Sequence, residues 1–467
     1  MSETIHRKLQ DELHSAALFH QVMHGIRAYL GQVEHRHVYP AEQALTSLAV
    51  FDEPLANEPV PAAEIIRTLT EYGAPATVAS VGGRYYGFVT GSVIPAGMAA
   101  KQLATAWDQN SAMQVLSPVC AKLESVVESW LTDLFGLPAG TVAGFVSGTS
   151  MANVCGLAAA RYRLLERQGW DVNRRGLPGA PALRVVTGRH AHSTVLKAIS
   201  LLGLGQDRIE WVDVDEQGRI DPEALPQLDD RTLLILQAGN VNSGAFDDVE
   251  TIAERISGSG AWIHIDGAFG LWAAAAELLR DRTTGIARAD SWAVDAHKTL
   301  NAPYDSGIVL CRDKEALVSA LHMQGGYIVL GERDGMFTTP EMSRRSRIIE
   351  LWATLKSLGR QGIDDLVTGL YARALQFAEE IRAIDGFAVV NEVVFNQVLV
   401  QCADDELTDR VIARIQELRT CWVGGSEWFG RRVIRVSICA WTTTPEDITR
   451  SVASFAQAIE DVSAPGN

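Results

Sequence analysis

Short apolar runs that end in polar residues alternate along the chain with longer stretches in which apolar residues recur at helical spacing. Runs of the first kind occupy residues 183–187, 208–214, 232–236, 262–266 and 292–294. Apolar runs of this length bounded by polar turns are typical of buried strands. Strands separated by helices predict an α/β fold with a mostly parallel sheet covered by helices, and ligands bind such sheets where the strands end.

The two ends of the chain have a different pattern from this centre. Residues 1–83 are predicted to form an N-terminal helical arm that is too thin to bury a core of its own. Residues 84–361 are predicted to form the large α/β domain, and residues 362–467 a small α+β domain. In the last part Thr444 is predicted to cap the final helix, with Pro445 at its first position.

Length and composition are those of a soluble globular protein. The chain has 467 residues, of which 47% are hydrophobic and 21% charged. The net charge of −16 argues against a broad surface for nucleic acid or an anionic membrane. The apolar runs fall short of a membrane span, and the first ten residues, MSETIHRKLQ, are too polar for a signal peptide. We therefore expect neither nucleic acid nor a membrane as a partner.

The cysteines and histidines predict neither disulfides nor a metal site. Six cysteines are scattered without CxxC spacing, as is typical of reduced, mostly buried thiols in a cytoplasmic protein. His20 and His24 have the i,i+4 spacing that a metal-binding helix uses, but no third ligand has suitable spacing. We expect no metal.

Two of the apolar runs carry residues with distinctive chemistry at their ends. The run at 292–294 is followed by Asp295, His297 and Lys298, and the run at 262–265 by Asp266. A buried lysine is a nucleophile that reacts with aldehydes, because burial disfavours its charged form; the alternative is an ordinary solvated lysine. An aspartate facing a pyridinium nitrogen and a lysine facing an aldehyde are what pyridoxal phosphate (PLP) requires.

A third motif is a small, hydroxyl-rich turn at residues 144–153 that opens a helix. Free backbone N–H groups and the helix dipole make such a turn a phosphate site, with Thr149 and Ser150 as the main donors. It is not a Walker loop, because no GK[ST] follows. The alternative is an ordinary helix cap by Ser147 or Thr149.

The motifs HIDGAFG at 264–270 and DAHK at 295–298, in this order and about 30 residues apart, resemble those of the group II PLP-dependent amino-acid decarboxylases. This family includes aromatic amino-acid, histidine, tyrosine and glutamate decarboxylases, and the resemblance extends over about residues 84–441. It implies the type I (aspartate aminotransferase-like) fold, PLP as cofactor and an obligate homodimer whose arms embrace the partner subunit. It also implies α-decarboxylation of an L-amino acid to an amine and CO2.

The resemblance also implies roles for individual residues. Lys298 binds the cofactor covalently, Asp266 pairs with the ring nitrogen, and His192 stacks on the ring and holds the substrate carboxylate. Ala268 packs under the opposite face of the ring. The remaining cofactor contacts are expected from Thr149, Ser150, Asp295 and His297 at the phosphate end, and from Asn242 in the glycine-rich turn at 237–247.

The substrate pocket is expected to include Phe88 and Thr90, whereas Ser343 matches a position that varies with the substrate. Phe88 favours an aromatic side chain, and Ser343 favours imidazole or another polar group. Tyr327 lies in the glycine-bracketed segment 324–335, whose composition predicts a lid, and the resemblance makes it the acid that returns a proton to Cα. The basic cluster at 343–347 is predicted to be a salt-bridged dimer surface.

Two alternatives remain at this point. One is another reaction of the same fold, such as transamination, which usually needs an arginine for the α-carboxylate, and the sequence shows no clear candidate for it. The other is a non-catalytic protein with the PLP fold that acts as a binding partner. A catalytically inactive homologue has no need to keep Asp266, Lys298, His192 and Tyr327 together. Their presence therefore argues against the second alternative.

Overall fold

The structure, a computed structural model, describes residues 3–321, 331 and 333–464. None of the helices in this part of the chain is long and apolar enough to cross a membrane. The described residues also contain no group of three histidine, cysteine, aspartate or glutamate side chains arranged to hold a metal ion. All six cysteines are buried and free.

The N-terminal segment consists of short helices joined by irregular stretches. They are α1 (Glu3–Leu13), α2 (Ala16–Leu30), α3 (Glu42–Thr46) and α4 (Ala62–Thr68). Helix α2 begins where Ser15 Oγ accepts the Leu18 N–H at 3.2 Å. None of the residues of α2, α3 and α4 is buried. The predicted helices of this segment are thus present, and the apolar side chains of α2, α3 and α4 do not close into a core.

The centre of the chain forms a seven-stranded sheet. Its strands are β1 (Val142–Val146), β2 (Arg184–Gly188), β3 (Ile209–Val212), β4 (Thr232–Gln237), β5 (Trp262–Asp266), β6 (Ser291–Asp295) and β7 (Gly307–Cys311). Their order is β1-β7-β6-β5-β4-β2-β3. Only β7 runs antiparallel to its neighbours β1 and β6. The other pairings are parallel, which confirms the predicted sheet.

Helices cover both faces of this sheet. They are α5 (Pro95–Trp107), α6 (Pro118–Leu134), α7 (Thr149–Arg167), α8 (Val172–Arg175), α9 (Ser193–Leu201), α10 (Val249–Arg255) and α11 (Lys314–Leu321). All the residues of β4, β5 and β6 are buried, as expected for strands with helices on both sides. Two apolar clusters result, one on each side; Trp272 and Trp292 belong to the first, and Leu157 and Leu164 of α7 to the second.

The C-terminal part begins with the long helix α12 (Ile348–Arg382), which is interrupted at Gly359. A four-stranded antiparallel sheet follows, with the order β10-β11-β9-β8. Its elements are β8 (Ala388–Val389), β9 (Gln397–Gln401), α13 (Asp405–Leu418), β10 (Gly424–Trp428), β11 (Arg431–Ser437) and α14 (Pro445–Ser463). Thr444 caps α14 as predicted, in a reciprocal capping box with Asp447.

Strand β10 was not predicted from the sequence. It begins Gly424-Gly425, a composition that is typical of loops rather than strands. It is a strand because Phe429 and Gly430, both with positive φ, form the tight turn that pairs it with β11.

The prediction that the basic cluster at residues 343–347 is a dimer surface is wrong for Arg344, the most buried arginine of the cluster. The Arg344 side chain is only 1% exposed and pairs with the buried Glu124, and it also donates to the Phe145 carbonyl at 3.0 Å. A buried cation needs a partner inside the chain, and α6 supplies it. Arg345 pairs with Asp305 and Glu350 of the same chain.

Candidate active site

Lys298 lies in the turn after β6, close to the carboxylate that ends this strand. Its Nζ lies 3.1 Å from Asp295 Oδ2, and its side chain is 19% exposed. The amine is therefore shielded by the sheet and yet open on one side. Because β5 and β6 are parallel neighbours, Asp266 reaches the same edge of the sheet.

Asn301 holds the turn that carries Lys298. Its Nδ2 donates to the carbonyls of Lys298 (3.2 Å), Thr299 (2.8 Å) and Cys439 (2.9 Å), so that this turn is joined to the segment after β11. Its φ of 58° lies in the left-handed region, which asparagine tolerates better than most residues. The sequence analysis did not identify this role.

The Asp295 carboxylate also meets the N-terminus of α7. The Thr149 N–H donates to Asp295 Oδ1 at 2.6 Å, and His297 Nε2 lies 3.6 Å from Oδ2. Burial lowers the pKa of His297, although the charge of Asp295 opposes this shift. His297 Nδ1 accepts the Ser306 N–H at 3.1 Å, so the proton of the neutral imidazole is on Nε2, facing Asp295.

The hydroxyl of Thr149 is buried at the same helix N-terminus and has no hydrogen-bond partner among the described residues. Ser150 beside it is exposed. The turn before the helix packs closely on β7, because a Cβ on Gly307 would lie 2.3 Å from Gly148 Cα. A donor left unsatisfied in a buried turn, at the positive end of a helix dipole, is suited to an anion.

Asp266 is 4% exposed and each of its oxygens has a partner within the chain. Oδ1 accepts the Ala268 N–H at 3.2 Å, and Oδ2 accepts from Asn153 Nδ2 of α7 at 3.3 Å. Ala268 in turn accepts the Asp295 N–H through its carbonyl at 2.8 Å, which joins the two strand ends. Asn153 was not among the predicted site residues.

His192 is the residue that caps helix α9. Its Nδ1 accepts the Thr194 N–H at 3.3 Å. The sequence analysis assigned His192 to the cofactor ring, and the cap leaves Nε2 available for that role. Burial lowers the pKa of His192, the cations Lys298 and Arg435 lower it further, and Asp266 opposes them. The imidazole is therefore neutral at pH 7.

Arg435 is a further cation of this site that the sequence analysis missed. It projects from β11, and its Nη1 donates to the Val241 carbonyl at 3.4 Å. Burial lowers the pKa of Arg435, and among the described residues no carboxylate forms an ion pair with it. The charge of Arg435 also contributes to lowering the pKa of His192. Arg435 is one of three arginines in β11, so the sequence did not single it out.

Asn240 holds the turn at 237–247, whereas the Asn242 side chain joins this turn to the C-terminal sheet. Asn240 Oδ1 accepts the N–H groups of Asn242 (2.9 Å) and Ser243 (3.3 Å). The Asn242 side chain accepts from Ser426 Oγ at 2.7 Å and donates to the Glu427 carbonyl at 3.5 Å, and so it bonds to β10 of the C-terminal sheet. Its expected contact with the cofactor remains a prediction.

The predicted pocket residues lie on two separate segments. The segment with Phe88 and Thr90 packs against the Lys298 turn, because a Cβ on Gly91 would lie 2.2 Å from the Lys298 carbonyl oxygen. Phe88 stacks on Trp422 at 5.5 Å between ring centroids, yet it is 67% exposed. Ser343 is also exposed. Tyr327, the expected proton donor, lies outside the described residues.

These residues fit PLP, the cofactor that the resemblance implies. The cofactor has an aldehyde, a ring nitrogen and a phosphate, and the site offers an amine at Lys298, a carboxylate at Asp266 and an unsatisfied hydroxyl at the N-terminus of α7. Asp295 is the one component that does not match PLP directly. Its carboxylate already accepts the Thr149 N–H, at the helix end where the phosphate is expected.

Comparison with known proteins points to the same chemistry. Residues 80–402 match the family described as the pyridoxal-dependent decarboxylase conserved domain. The chain is 28% identical to an aromatic-L-amino-acid decarboxylase of Bacillus atrophaeus over 81% of its own length and 82% of that protein. It is also 28% identical to the acidic amino acid decarboxylase GADL1 of Mus musculus, with 64% of this chain and 56% of GADL1 covered. The match therefore spans little more than half of GADL1.

The fold is also that of a solved structure. The structure of mouse CSAD superposes with a TM-score of 0.86 at 22% identity, over 95% of this chain and 98% of that one. This likeness confirms the type I fold predicted from the sequence. With the sequence match over residues 80–402, the outcome is clear: this chain belongs to the pyridoxal-dependent decarboxylase family.

Proposed function

We propose that this protein is a PLP-dependent amino-acid decarboxylase, which converts an L-amino acid to the amine and CO2. The observation that carries the proposal is the meeting of Lys298, Asp266 and the N-terminus of α7 at one edge of the sheet. When bound, PLP supplies an electron sink for the electron pair that remains when the carboxyl group leaves.

The residues of the chain bind and orient the cofactor and the substrate. Lys298 holds the cofactor covalently, and Asp266 pairs with its ring nitrogen. Thr149 and Ser150 bind the phosphate together with the dipole of α7, and Ala268 lies at the end of β5 where the ring packs. His192, neutral at pH 7, is available to hold the substrate carboxylate through Nε2.

Arg435 adds a charge for the substrate that the sequence did not reveal. A half-buried guanidinium that has no carboxylate partner among the described residues attracts an anionic group of the ligand, and arginine is well suited to bidentate binding of a carboxylate. Arg435 thus removes one objection to transamination, which usually requires such an arginine. It also supports an acidic amino acid as an alternative to an aromatic one in the assignment of the substrate.

The aromatic preference rests on the segment with Phe88 and Thr90. Tyr85 and Phe88 both stack on Trp422, at 5.1 and 5.5 Å between ring centroids, and form an aromatic surface beside the Lys298 turn. Such surfaces bind flat apolar groups through stacking and burial of apolar area. We propose an aromatic L-amino acid as the first substrate to test, with Ser343 as a further contact.

We propose further that the protein works as a homodimer in the cytoplasm, with residues 1–83 as the arm, 84–361 as the large domain and 362–467 as the small one. Several large apolar side chains of the arm are exposed, among them Leu13 (64%), Phe19 (53%) and Leu55 (99%). Exposed apolar area on this scale is typical of a protein interface. A second copy of the chain is the partner that we propose.

The test is a panel of the twenty amino acids with 2,4-diaminobutyrate, ornithine and cysteine sulfinate, scored for CO2, amine and keto acid with PLP-loaded protein. We expect CO2 and amine in equal amounts from one substrate class. Borohydride reduction should fix the cofactor on the peptide containing Lys298. Lys298→Ala should abolish both results, whereas Lys314→Ala, an exposed lysine of α11, should leave them unchanged.

Keto acid without CO2 would instead identify a transaminase. Covalent label on another lysine, or no product from any of the amino acids, would overturn the proposal. Arg435→Gln separates the substrate classes, because it should raise the KM of an acidic substrate far more than that of an aromatic one.

A further inference from the structure

A continuous chain of buried hydrogen bonds ends at Asp266. Trp262, His264 and Asp266 alternate along β5, so their side chains lie on the same face of the sheet, towards α7. Ser291 of β6 and Asn153 of α7 complete the chain. All five side chains are buried, and three of them, those of His264, Ser291 and Asn153, are fully inaccessible to solvent.

The first bond of this chain has a fixed direction. The Trp262 indole can only donate, and its Nε1–H donates to Ser291 Oγ at 2.9 Å. Ser291 Oγ lies 2.8 Å from His264 Nδ1, where a hydroxyl can either donate or accept, so the direction of this bond is set from the other end of the chain. There His264 Nε2 lies 2.9 Å from Asn153 Oδ1, which can only accept, so the neutral ring carries its proton on Nε2. The Asn153 amide is left with its Nδ2–H pointing to Asp266 Oδ2 at 3.3 Å.

The reverse direction is excluded by the Asp266 end of the chain. If His264 carried its proton on Nδ1, its Nε2 would accept from Asn153, and the amide would have to turn over. Asn153 Oδ1 would then face the Asp266 carboxylate at about the same 3.3 Å, with two acceptors opposed. The obligatory acceptor at Asp266 therefore determines the orientation of Asn153 and, through it, the tautomer of His264.

The packing of α7 is adapted to this chain. A Cβ on Gly156 would lie 2.7 Å from His264 Cε1 and 2.9 Å from His264 Nδ1, so only glycine admits the imidazole between helix and sheet. Glycine in the middle of a helix costs about 1 kcal/mol relative to alanine. The helix carries this destabilisation at the one position where the ring needs the space.

We propose that Asn153 and His264 are positioning residues that hold the Asp266 carboxylate in the orientation needed by the cofactor's ring nitrogen. The inference rests on the proposed function, since it assigns Asp266 to that nitrogen. Oδ1 is held by the Ala268 N–H and Oδ2 by Asn153, so rotation of the carboxylate would break one bond on each oxygen. Groups behind a ligand that set its direction act in the same way in metal sites.

His264 is suited to this task because it stays neutral. Burial lowers the pKa of His264 to about 3, so that it carries a single proton at neutral pH. A neutral imidazole donates from one nitrogen and accepts at the other, which transmits a direction, whereas an imidazolium would donate from both nitrogens and would repel the Ser291 hydroxyl hydrogen.

The direction of the chain can be measured without the cofactor. In the apoprotein labelled with 15N-histidine, the His264 signals, identified by their absence in His264→Leu, should show the proton on Nε2. In Asn153→Ala the acceptor that selects this tautomer is lost, and the two nitrogens should shift towards a mixture. A proton on Nδ1 in the wild type would overturn the proposal.

The effect on the site is measured as the Kd for PLP, by titration of the apoprotein. Asn153→Ala and His264→Leu should raise this Kd by roughly 10–100-fold, the range seen when groups that orient a metal ligand are removed. His264→Gln retains a donor directed at Asn153 and should recover most of the loss. Asn396→Ala is the matched control. It removes another fully buried amide, which bonds to the Ile438 carbonyl within the C-terminal part of the chain.

The outcomes separate the two proposals. If the wild type binds PLP and the Asn153 and His264 variants bind it equally well, the positioning role is wrong and the proposed function stands. If Asn396→Ala weakens PLP binding as much as Asn153→Ala, the effect is a general loss of stability and the positioning role is again wrong. If the wild type itself does not bind PLP, the proposed function fails, and the positioning role fails with it.

Discussion

Lys298 Nζ lies 3.1 Å from Asp295 Oδ2, while Oδ1 of the same carboxylate accepts the Thr149 N–H at 2.6 Å. One side chain thus joins the reactive amine of the β6 turn to the helix end where phosphate is expected. In the apoprotein it serves as counter-ion for the lysine and as acceptor for the helix, and both functions contribute to stability.

Asp295→Asn tests the ionic part of this arrangement. The amide oxygen can still accept the Thr149 N–H, but Lys298 loses its counter-ion. Loss of one partner from a fully buried pair costs about 3–5 kcal/mol, and because Lys298 is partly open to solvent we expect the free energy of unfolding of the apoprotein to fall by about 1–3 kcal/mol. Urea denaturation measures it.

Asp405→Asn is the control for that experiment. It removes the carboxylate of an exposed pair with Arg431, in which both side chains are about half exposed. Exposed pairs contribute about 0–1 kcal/mol. A loss in Asp295→Asn no larger than in this control would show that the Lys298–Asp295 pair is not a stabilising one.

Asp266→Ala should bind PLP weakly and lose nearly all turnover. The charge partner of the ring nitrogen is absent in this variant, and removal of a single electrostatic group of this kind costs roughly 10²–10³-fold in kcat. Steady-state rates at saturating PLP measure the loss. Activity within a few-fold of the wild type would make Asp266 a structural residue.

The interruption of α12 should depend on Gly359 alone. This residue has φ 60° and ψ −174°, a conformation that essentially only glycine adopts. A Cβ there would meet no atom within 4 Å, so the cost of Gly359→Ala is purely conformational. We expect a loss of about 1–3 kcal/mol in the free energy of unfolding.

Gly369→Ala in the same helix is the matched variant. Its position is equally open, but its φ is not positive. Alanine is the better helix former, and the protein should gain about 0.5–1 kcal/mol. Chemical denaturation of the two variants in parallel measures both changes in the free energy of unfolding. A change of the same sign in both would contradict the conformation assigned to Gly359.

His264 should make the protein sensitive to acid. Its pKa is lowered by burial from 6.5 in the unfolded chain to about 3 in the folded protein. The unfolded state therefore binds a proton first, and this contribution to stability is complete above pH 6.5 and is lost as the pH falls towards 3. The slope is at most about 1.4 kcal/mol per pH unit.

His264→Leu should remove this slope although it lowers stability at neutral pH. Urea denaturation of both proteins between pH 7 and pH 4, within the range set by the two pKa values, should show their free energies of unfolding converging as the pH falls. Parallel curves would mean that His264 titrates normally and is not sealed from solvent.

Deletion of residues 1–81 should leave an inactive protein that is monomeric or aggregated. The deletion removes the exposed apolar side chains of the arm, such as Phe19 and Leu55, and uncovers the surface on which the arm lies. Sedimentation of the truncated and full-length proteins measures it. A soluble and active monomer would show that the arm has no such role.

Much of the fold could be predicted from local pattern. The apolar runs at 232–236 and 262–266 became β4 and β5 with all their residues buried, because a strand between two layers of helices must be apolar on both faces. Strand β10 could not be predicted, since its two glycines favour a loop and only pairing with β11 makes it a strand.

By itself the sequence determined that Asp266 ends one buried strand, that Lys298 closely follows the end of another, and that a hydroxyl-rich turn opens α7. Those features are local, because a polar residue at the end of an apolar run can be seen in a short stretch of chain. Only the tertiary structure decided which residues join them. Asn153 contacts Asp266 across 113 positions of sequence, and Asn301 contacts Cys439 across 138. Asn153 lies in an ordinary helical pattern and Arg435 in an ordinary strand, so their roles arise from side chains that meet only when the sheet and helices pack.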